Sequence, residues 1–180
     1  MTSVEALWSP WLWLLSANGN SIPPFFVFPR QNYKDYFTAR GQDGSAGSEN
    51  KSGWMTGDNF VLDTQHFIKH IRVTKDKPVL ILLDNHQSRL DIKVLNLAQE
   101  NVVVMSFTLH TSAQVQPLDS SVYGPSKKFV NSASEAWISS KPGQTTKIYI
   151  PFIVSQLLQN AFTPENNSFT DRIMDVCKRF

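Results

Sequence analysis

The chain has 180 residues, the size of one ordinary domain, so any function has to be served by a single hydrophobic core. Hydrophobic residues make up 41% and charged residues 18%, a composition that excludes a disordered or collagen-like chain. The net charge of +2 is far from the strongly basic balance of a protein that coats nucleic acid. The single cysteine, Cys177, cannot form an internal disulfide and favours a reducing compartment.

The amino-terminal residues predict neither a membrane span nor a signal peptide. The apolar run at residues 11–15 is far short of the roughly 20 residues that cross a bilayer. Residues 1–7 carry Glu5 and no basic residue, whereas a signal peptide begins with a basic segment. We therefore expect no membrane partner.

The first elements along the chain are predicted as a hairpin, a loop and a helix. Asn18-Gly19 suits a tight turn, so residues 11–17 and 22–28 are expected to pair as antiparallel strands. Residues 38–53 hold four glycines among polar residues and predict a mobile loop. An amphipathic helix is predicted after Thr56, a good cap, from apolar residues at helical spacing: Phe60, Phe67, Ile68 and Ile71.

The middle of the chain predicts two parallel strands joined by a helix. Residues 79–83 form an unbroken apolar run that ends at Asp84, which is typical of a strand buried on both faces. Residues 90–98 carry apolar side chains at helical spacing, and residues 102–107 form a second apolar run. Strand, helix and strand at this spacing predict a right-handed crossover in an α/β fold.

Two helices are predicted toward the carboxyl end. Pro125 suits a first helical position, and Phe129, Ala133 and Trp137 would line the apolar face of that helix. The last helix would start near Pro151, with an apolar face formed by Ile153, Val154, Leu157, Leu158 and Ala161.

Two acids are placed where phosphodiester chemistry would use them. Asp84 follows a buried strand and Asp119 precedes a predicted helix, and carboxylates at such positions can hold Mg²⁺. Each acid also has an ordinary structural explanation, since Asp84 would cap the next turn and Asp119 the next helix. Taken separately, neither acid decides between these interpretations.

Three runs of sequence carry a family resemblance: SGWMT at residues 52–56, LLDNHQS at 82–88 and HTSAQVQPLDSSVYGPSKK at 110–128. The runs NGNSIPPFFVFPR at 18–30, HFIKH at 66–70 and KPVLILLDNH at 77–86 extend it. Together they resemble the DDE endonuclease domain of pogo, Tigger and jerky-type transposases over about residues 18–165.

The resemblance implies an RNase H-like mixed sheet flanked by helices, in which three aspartates bind two Mg²⁺ and direct cleavage and transfer of DNA strands. Asp84 would match the second acid and Asp119 the third. The family's first acid lies upstream of the NGN hairpin, so we expect this chain to lack the first strand and that acid. Two of three ligands would hold one metal weakly, and we predict an inactive domain.

Five further residues accompany the two acids and are predicted to contact nucleic acid or a metal-bound water: Asn85, His86, His110, Lys127 and Lys128. Loop hydrogen bonds and a solvated helix face explain them equally well. The family also implies a nuclear location and DNA, with no small-molecule substrate. His66 and His70 have a spacing compatible with metal but no third ligand, so solvent exposure is predicted for both.

The two ends of the chain depart from the family pattern. A one-base shift turns codons for the family-like GTLVTMALA into codons for ALWSPWLW, which are residues 6–13. We hypothesise that residues 1–17 are an atypical, frame-shifted segment, followed by a partial DDE domain at 18–165 and a divergent tail at 166–180. A real tryptophan-rich strand or helix is the alternative for the first segment.

Two other kinds of protein stay open beside the inactive nuclease. The fold can survive as a non-catalytic interaction module, or the chain can be a decayed element without a selected function. Magnesium binding that depends on Asp84 separates the retained metal site from both alternatives.

Overall fold

A computed structural model describes residues 11–12, 21–71, 79–83, 91–99, 102–106, 123–141 and 149–161. These residues form a mixed α/β fold with five strands: β1 Trp11–Leu12, β2 Phe25–Phe28, β3 Ala46–Glu49, β4 Val79–Leu83 and β5 Val102–Ser106. The described residues also form four α-helices: α1 Gly57–Ile71, α2 Ile92–Gln99, α3 Tyr123–Ser140 and α4 Ile150–Ala161.

The described strands lie in two sheets. β1 pairs antiparallel with β2, with Trp11 opposite Phe26, as the hairpin pattern predicts. β3 adds to β2 in parallel, and β4 pairs in parallel with β5 as expected for a crossover. The mixed α/β class is therefore confirmed, whereas an RNase H-like arrangement of the sheet stays a prediction.

The predicted loop at residues 38–53 contains a strand, so that prediction was wrong for residues 46–49. The sequence of β3 is Ala-Gly-Ser-Glu, which has none of the β-branched or aromatic residues that mark strands. Gly47 allows the pairing, because a Cβ atom there would lie 2.8 Å from the carbonyl oxygen of Phe26. Gly44 precedes the strand with a φ of +84°, a conformation that favours glycine.

Side chains alternate along β2, so Phe26 and Phe28 share one of its faces. Phe26 and Phe28 join the first core, which lies against α3 and α4. The predicted apolar face of α4 enters this core, where Val154 is fully buried. Its members are Phe26, Phe28, Phe37, Val130, Ile150, Ile153, Val154, Leu157 and Leu158.

The second core joins α1 and α2 to β4, and its members are Ile22, Phe60, Phe67, Ile81, Val94 and Ala98. Thr56 caps α1, because its Oγ1 accepts a hydrogen bond from the Asn59 N–H at 3.3 Å. Asp91 caps α2 in the same way, with the Lys93 N–H donating at 2.8 Å. Ile71 was predicted on the apolar face of α1, but it is 40% exposed at the end of the helix.

α3 buries the predicted stripe in part, because Ala133 packs against the first core. Val130 and Ser134 are buried, whereas Phe129 is 37% exposed and lies off the core face. α3 contacts α4, and sequence spacing alone does not reveal that the small polar residue Ser134 is buried. Trp137 is half-buried and stacks on Tyr149 with ring centroids 3.5 Å apart.

Pro125 is the third residue of α3 rather than the first, because the helix begins at Tyr123. A proline in the first turn leaves no intrahelical hydrogen bond unmade, so both positions suit its missing N–H.

Candidate active site

The carboxyl ends of β4 and β5 meet at one edge of their sheet. The strands run parallel in register from Val79 opposite Val102 to Leu83 opposite Ser106. Leu83 and Ser106 therefore lie side by side where the two strands end. Ligand sites of open α/β sheets form at such carboxyl edges.

Asp84 is bonded to Leu83, the last residue of β4 at this edge. Asp119 precedes Tyr123, the first residue of α3, by four positions in the sequence. The predicted site residues that lie outside the described residues are Asp84, Asn85, His86, His110 and Asp119. Their roles as metal ligands and nucleic-acid contacts stay predictions.

Lys127 and Lys128 lie in the amino-terminal part of α3. The Lys128 side chain is exposed, and the Lys127 side chain is outside the described part of the structure. An exposed lysine on the helix after Asp119 can reach a phosphate, and it is equally at home on a solvated helix face.

Within the described residues, no group of three or more His, Cys, Asp or Glu side chains could hold a metal ion. The predicted pair nevertheless fits Mg²⁺ in its chemistry, because carboxylates provide the oxygen ligands that this ion prefers. The strand before Asp84 is anchored in the second core, since Ile81 is buried.

The structure corrects the prediction that His66 and His70 are exposed to solvent. His66 is 8% exposed, and its Nε2 donates a hydrogen bond to the carbonyl oxygen of Pro23 at 2.8 Å. Its ring packs on Phe25, with centroids 5.9 Å apart. His70 is half-buried and its Nδ1 donates to the His66 carbonyl oxygen at 2.9 Å. Helical spacing placed the two histidines on one face of α1. It did not reveal that Pro23 and Phe25 contact His66 on that face.

Burial of His66 makes the stability of the fold depend on pH. Desolvation lowers the pKa of His66, with nearby His70 and Lys69 acting in the same direction and the hydrogen bond to Pro23 opposing them. The unfolded chain then binds the proton more readily. The contribution of neutral His66 to the free energy of unfolding is therefore complete above the unfolded pKa of about 6.5. It is lost as the pH falls through the folded pKa.

We expect the free energy of unfolding in urea to decrease between about pH 7 and about pH 5. The decrease should be shallower in His66→Gln, which keeps an amide donor for Pro23 but does not titrate. The same slope in both proteins would show that another group is responsible.

The SGWMT run forms a hydrogen-bonded turn before α1. The Asn50 side-chain amide donates to the Trp54 carbonyl oxygen at 2.8 Å and to Ser52 Oγ at 2.9 Å. Gly53 adopts a φ of +74° between them. Trp54 is 69% exposed. The sequence assigned no role to this side chain, although the SGWMT run is one of the motifs that carry the family resemblance.

A family profile described as DDE superfamily endonuclease matches residues 11–160. The match spans the parallel edge of β4 and β5 and both predicted acids. This chain belongs to the DDE superfamily of endonucleases. DDE endonuclease domains generally use divalent metals and act on DNA, and membership indicates a transposase-derived nuclease ancestry.

A protein of Cochliobolus lunatus named MFS-type transporter clz9 is 28% identical to this DDE endonuclease chain over 158 residues. The matched region covers 84% of this chain but 17% of that protein, so the transporter name describes a much longer polypeptide. Among the described helices, none combines the length and apolarity needed to cross a bilayer. No solved structure matches the chain.

Proposed function

We propose that this chain is a DDE endonuclease domain of the pogo, Tigger and jerky transposase group, which binds DNA and holds Mg²⁺ through Asp84 and Asp119. The observation that carries the proposal is the parallel edge where Leu83 and Ser106 end side by side. The sheet fixes the backbone up to Leu83, and the next residue is the proposed ligand Asp84. The corresponding cellular role is that of a nuclear protein that acts on DNA.

The proposed ligands and their neighbours have distinct roles. A bound Mg²⁺ would neutralise charge at a scissile phosphate and favour a deprotonated nucleophile. Asp84 and Asp119 supply the oxygen ligands. His86 and His110, together with Asn85, donate hydrogen bonds to phosphate or water, and Lys127 and Lys128 neutralise neighbouring phosphates.

We expect the 180-residue polypeptide to bind metal without cleaving DNA. The family uses three aspartates, and the resemblance matches two of them to positions in this sequence. In-line displacement uses two metal ions and a set of carboxylates that holds both. Two acids hold one ion weakly, because Mg²⁺ keeps its water ligands tenaciously.

Metal binding tests the two acids directly. Mn²⁺ substitutes for Mg²⁺ and is counted by the electron paramagnetic resonance signal of the free ion. We expect one weak site in the wild type, and at least about a tenfold loss of affinity in Asp84→Asn and in Asp119→Asn, because each removes a charged ligand.

Asp43→Asn is the matched control, since it removes an exposed carboxylate from the loop before β3 by the same chemical change. It should bind Mn²⁺ like the wild type. Equal binding by all four proteins would reject the metal site and favour the non-catalytic interaction module. Cleavage of DNA by the purified wild type would overturn the expected inactivity.

A further inference from the structure

The turn that carries Trp54 is fixed to the sheet at its start and is closed by hydrogen bonds within the turn. The Asn50 N–H donates to the Phe28 carbonyl oxygen at 3.0 Å, and the Gly53 N–H donates to the Asn50 carbonyl oxygen at 2.8 Å. The Asn50 side chain also holds the Trp54 carbonyl oxygen at 2.8 Å. The backbone of Trp54 is therefore positioned before any partner arrives.

Trp54 is the most exposed of the large apolar side chains among the described residues. An indole offers a large contact area at a low cost in conformational entropy, and such residues dominate the energetics of interfaces. The fold does not use this area for packing, because 69% of the residue stays in solvent. A preorganised turn with an exposed indole is typical of a contact site.

Two cations belong to this turn and to the segment packed beside it. A Cβ atom on Gly53 would lie 3.0 Å from Pro29 Cβ, so the turn packs directly beside the segment that contains Arg30. Arg30 and Lys51 are both exposed, and neither forms an ion pair with an acid among the described residues. The Arg30 guanidinium carbon lies 5.9 Å from the Phe37 ring centroid, which limits where that side chain points.

Among the described residues, the acids of the neighbouring segments form no ion pair with Arg30 or Lys51. Asp58, in the first turn of α1, binds Lys93 with 2.7 Å between Oδ1 and Nζ. Glu49 at the end of β3 and Asp35 near Phe37 are both exposed, and neither forms an ion pair with Arg30 or Lys51. We name the surface formed by Arg30, Lys51 and Trp54 the Trp54 corner.

We infer that the Trp54 corner binds unpaired DNA, with Trp54 stacked on a base and with Arg30 and Lys51 at the adjacent phosphates. The inference rests on the proposed function, because it takes DNA as the ligand of this domain. Single strands are bound by aromatic side chains that stack on bases and by cations that follow the backbone. A base inside a duplex is covered on both faces by its neighbours and offers no surface to the indole.

Binding of fluorescein-labelled DNA, followed by anisotropy in EDTA, tests the stacking role without a metal. The probes are an oligothymidine of about 20 nucleotides and a blunt duplex of equal length. We expect Trp54→Ala to weaken binding of the single strand about tenfold, in line with the known range for base stacking, and to leave duplex binding unchanged. Trp54→Phe should keep most of the affinity.

The phosphate contacts have a separate readout. The logarithm of single-strand affinity falls with the logarithm of salt concentration by about 0.7 per neutralised phosphate. Lys51→Gln and Arg30→Gln should each make that slope shallower by about this amount. An unchanged salt dependence of the affinity in both variants would show that Lys51 and Arg30 do not contact the phosphates.

Ile92→Ala is the control for exposed apolar area, since Ile92 is 65% exposed on α2. It should bind both probes like the wild type.

Equal single-strand affinity of Trp54→Ala and the wild type would overturn this inference alone, while Mn²⁺ binding still decides the metal site. Failure of the wild type to bind either probe would overturn it together with the proposed DNA binding. A wild type that self-associates through Trp54 in sedimentation, with unchanged DNA affinity in the variant, would assign the corner to protein contact instead.

Discussion

Replacing Phe26 with alanine is expected to remove a large part of the stability of the fold. Phe26 is fully buried at the centre of the first core, with its ring centroid 6.1 Å from that of Phe28. Removing a buried phenylalanine side chain costs about 3–5 kcal/mol, the sum of lost transfer free energy and the cavity left behind. Domains of this kind have total stabilities of about 5–15 kcal/mol, so the variant should unfold at a much lower urea concentration.

Phe129→Ala is the matched control, because it makes the same chemical change at a side chain that is 37% exposed on α3. Its cost should stay below about 1 kcal/mol. The comparison also tests the face of α3, since the sequence pattern placed Phe129 in the core. Similar losses in the free energy of unfolding of the two variants would show that Phe129 packs in the core, as the sequence pattern predicts.

The elements that sequence predicted well have clear apolar patterns. β4 and β5 are continuous apolar runs, and α4 carries a clear helical stripe that the first core buries. Such patterns report burial directly, because the hydrophobic effect scales with apolar area removed from water. The parallel edge that ends at Leu83 and Ser106 follows from the same pattern.

The elements that sequence missed depend on contacts between distant segments. β3 is a strand because Gly47 lets it approach β2, and no residue of β3 has a high strand propensity. His66 is buried because Pro23 and Phe25 cover it. Neither contact has a signature within a short window of sequence.

The candidate site likewise has a part that the sequence predicted, and the Trp54 corner is a surface that it did not predict. Strand pattern pointed to Asp84, and a family resemblance, now supported by family membership, selected Asp119 to accompany it. The Trp54 corner could not be predicted, because the exposure of Trp54 depends on hydrogen bonds from Asn50 and on packing against Pro29. Motif spacing identifies the residues in such a turn but not the direction in which the backbone presents them.

Gly47→Ala is expected to destabilise the fold although it adds a single methyl group. The new Cβ would lie 2.8 Å from the Phe26 carbonyl oxygen, 3.0 Å from Phe28 Cε2 and 3.1 Å from Tyr33 Cε2. The first of these atoms belongs to the backbone of the neighbouring strand, so β3 has to move away from β2. Overpacking of this kind costs about 1–3 kcal/mol, which urea unfolding measures directly.

Gly57→Ala provides the contrast, because a close contact there is with a side chain that can move. Its Cβ would lie 2.6 Å from Asp91 Oδ2, the tip of a half-buried side chain. A small rotation of that carboxylate relieves the contact, at some cost to the hydrogen bond that Asp91 Oδ1 accepts from the Lys93 N–H. We therefore expect Gly57→Ala to stay within about 1 kcal/mol of the wild type in stability. If Gly47→Ala did the same, β3 could not be packed against β2 as observed, and the turn after it that carries Trp54 would lose its anchor.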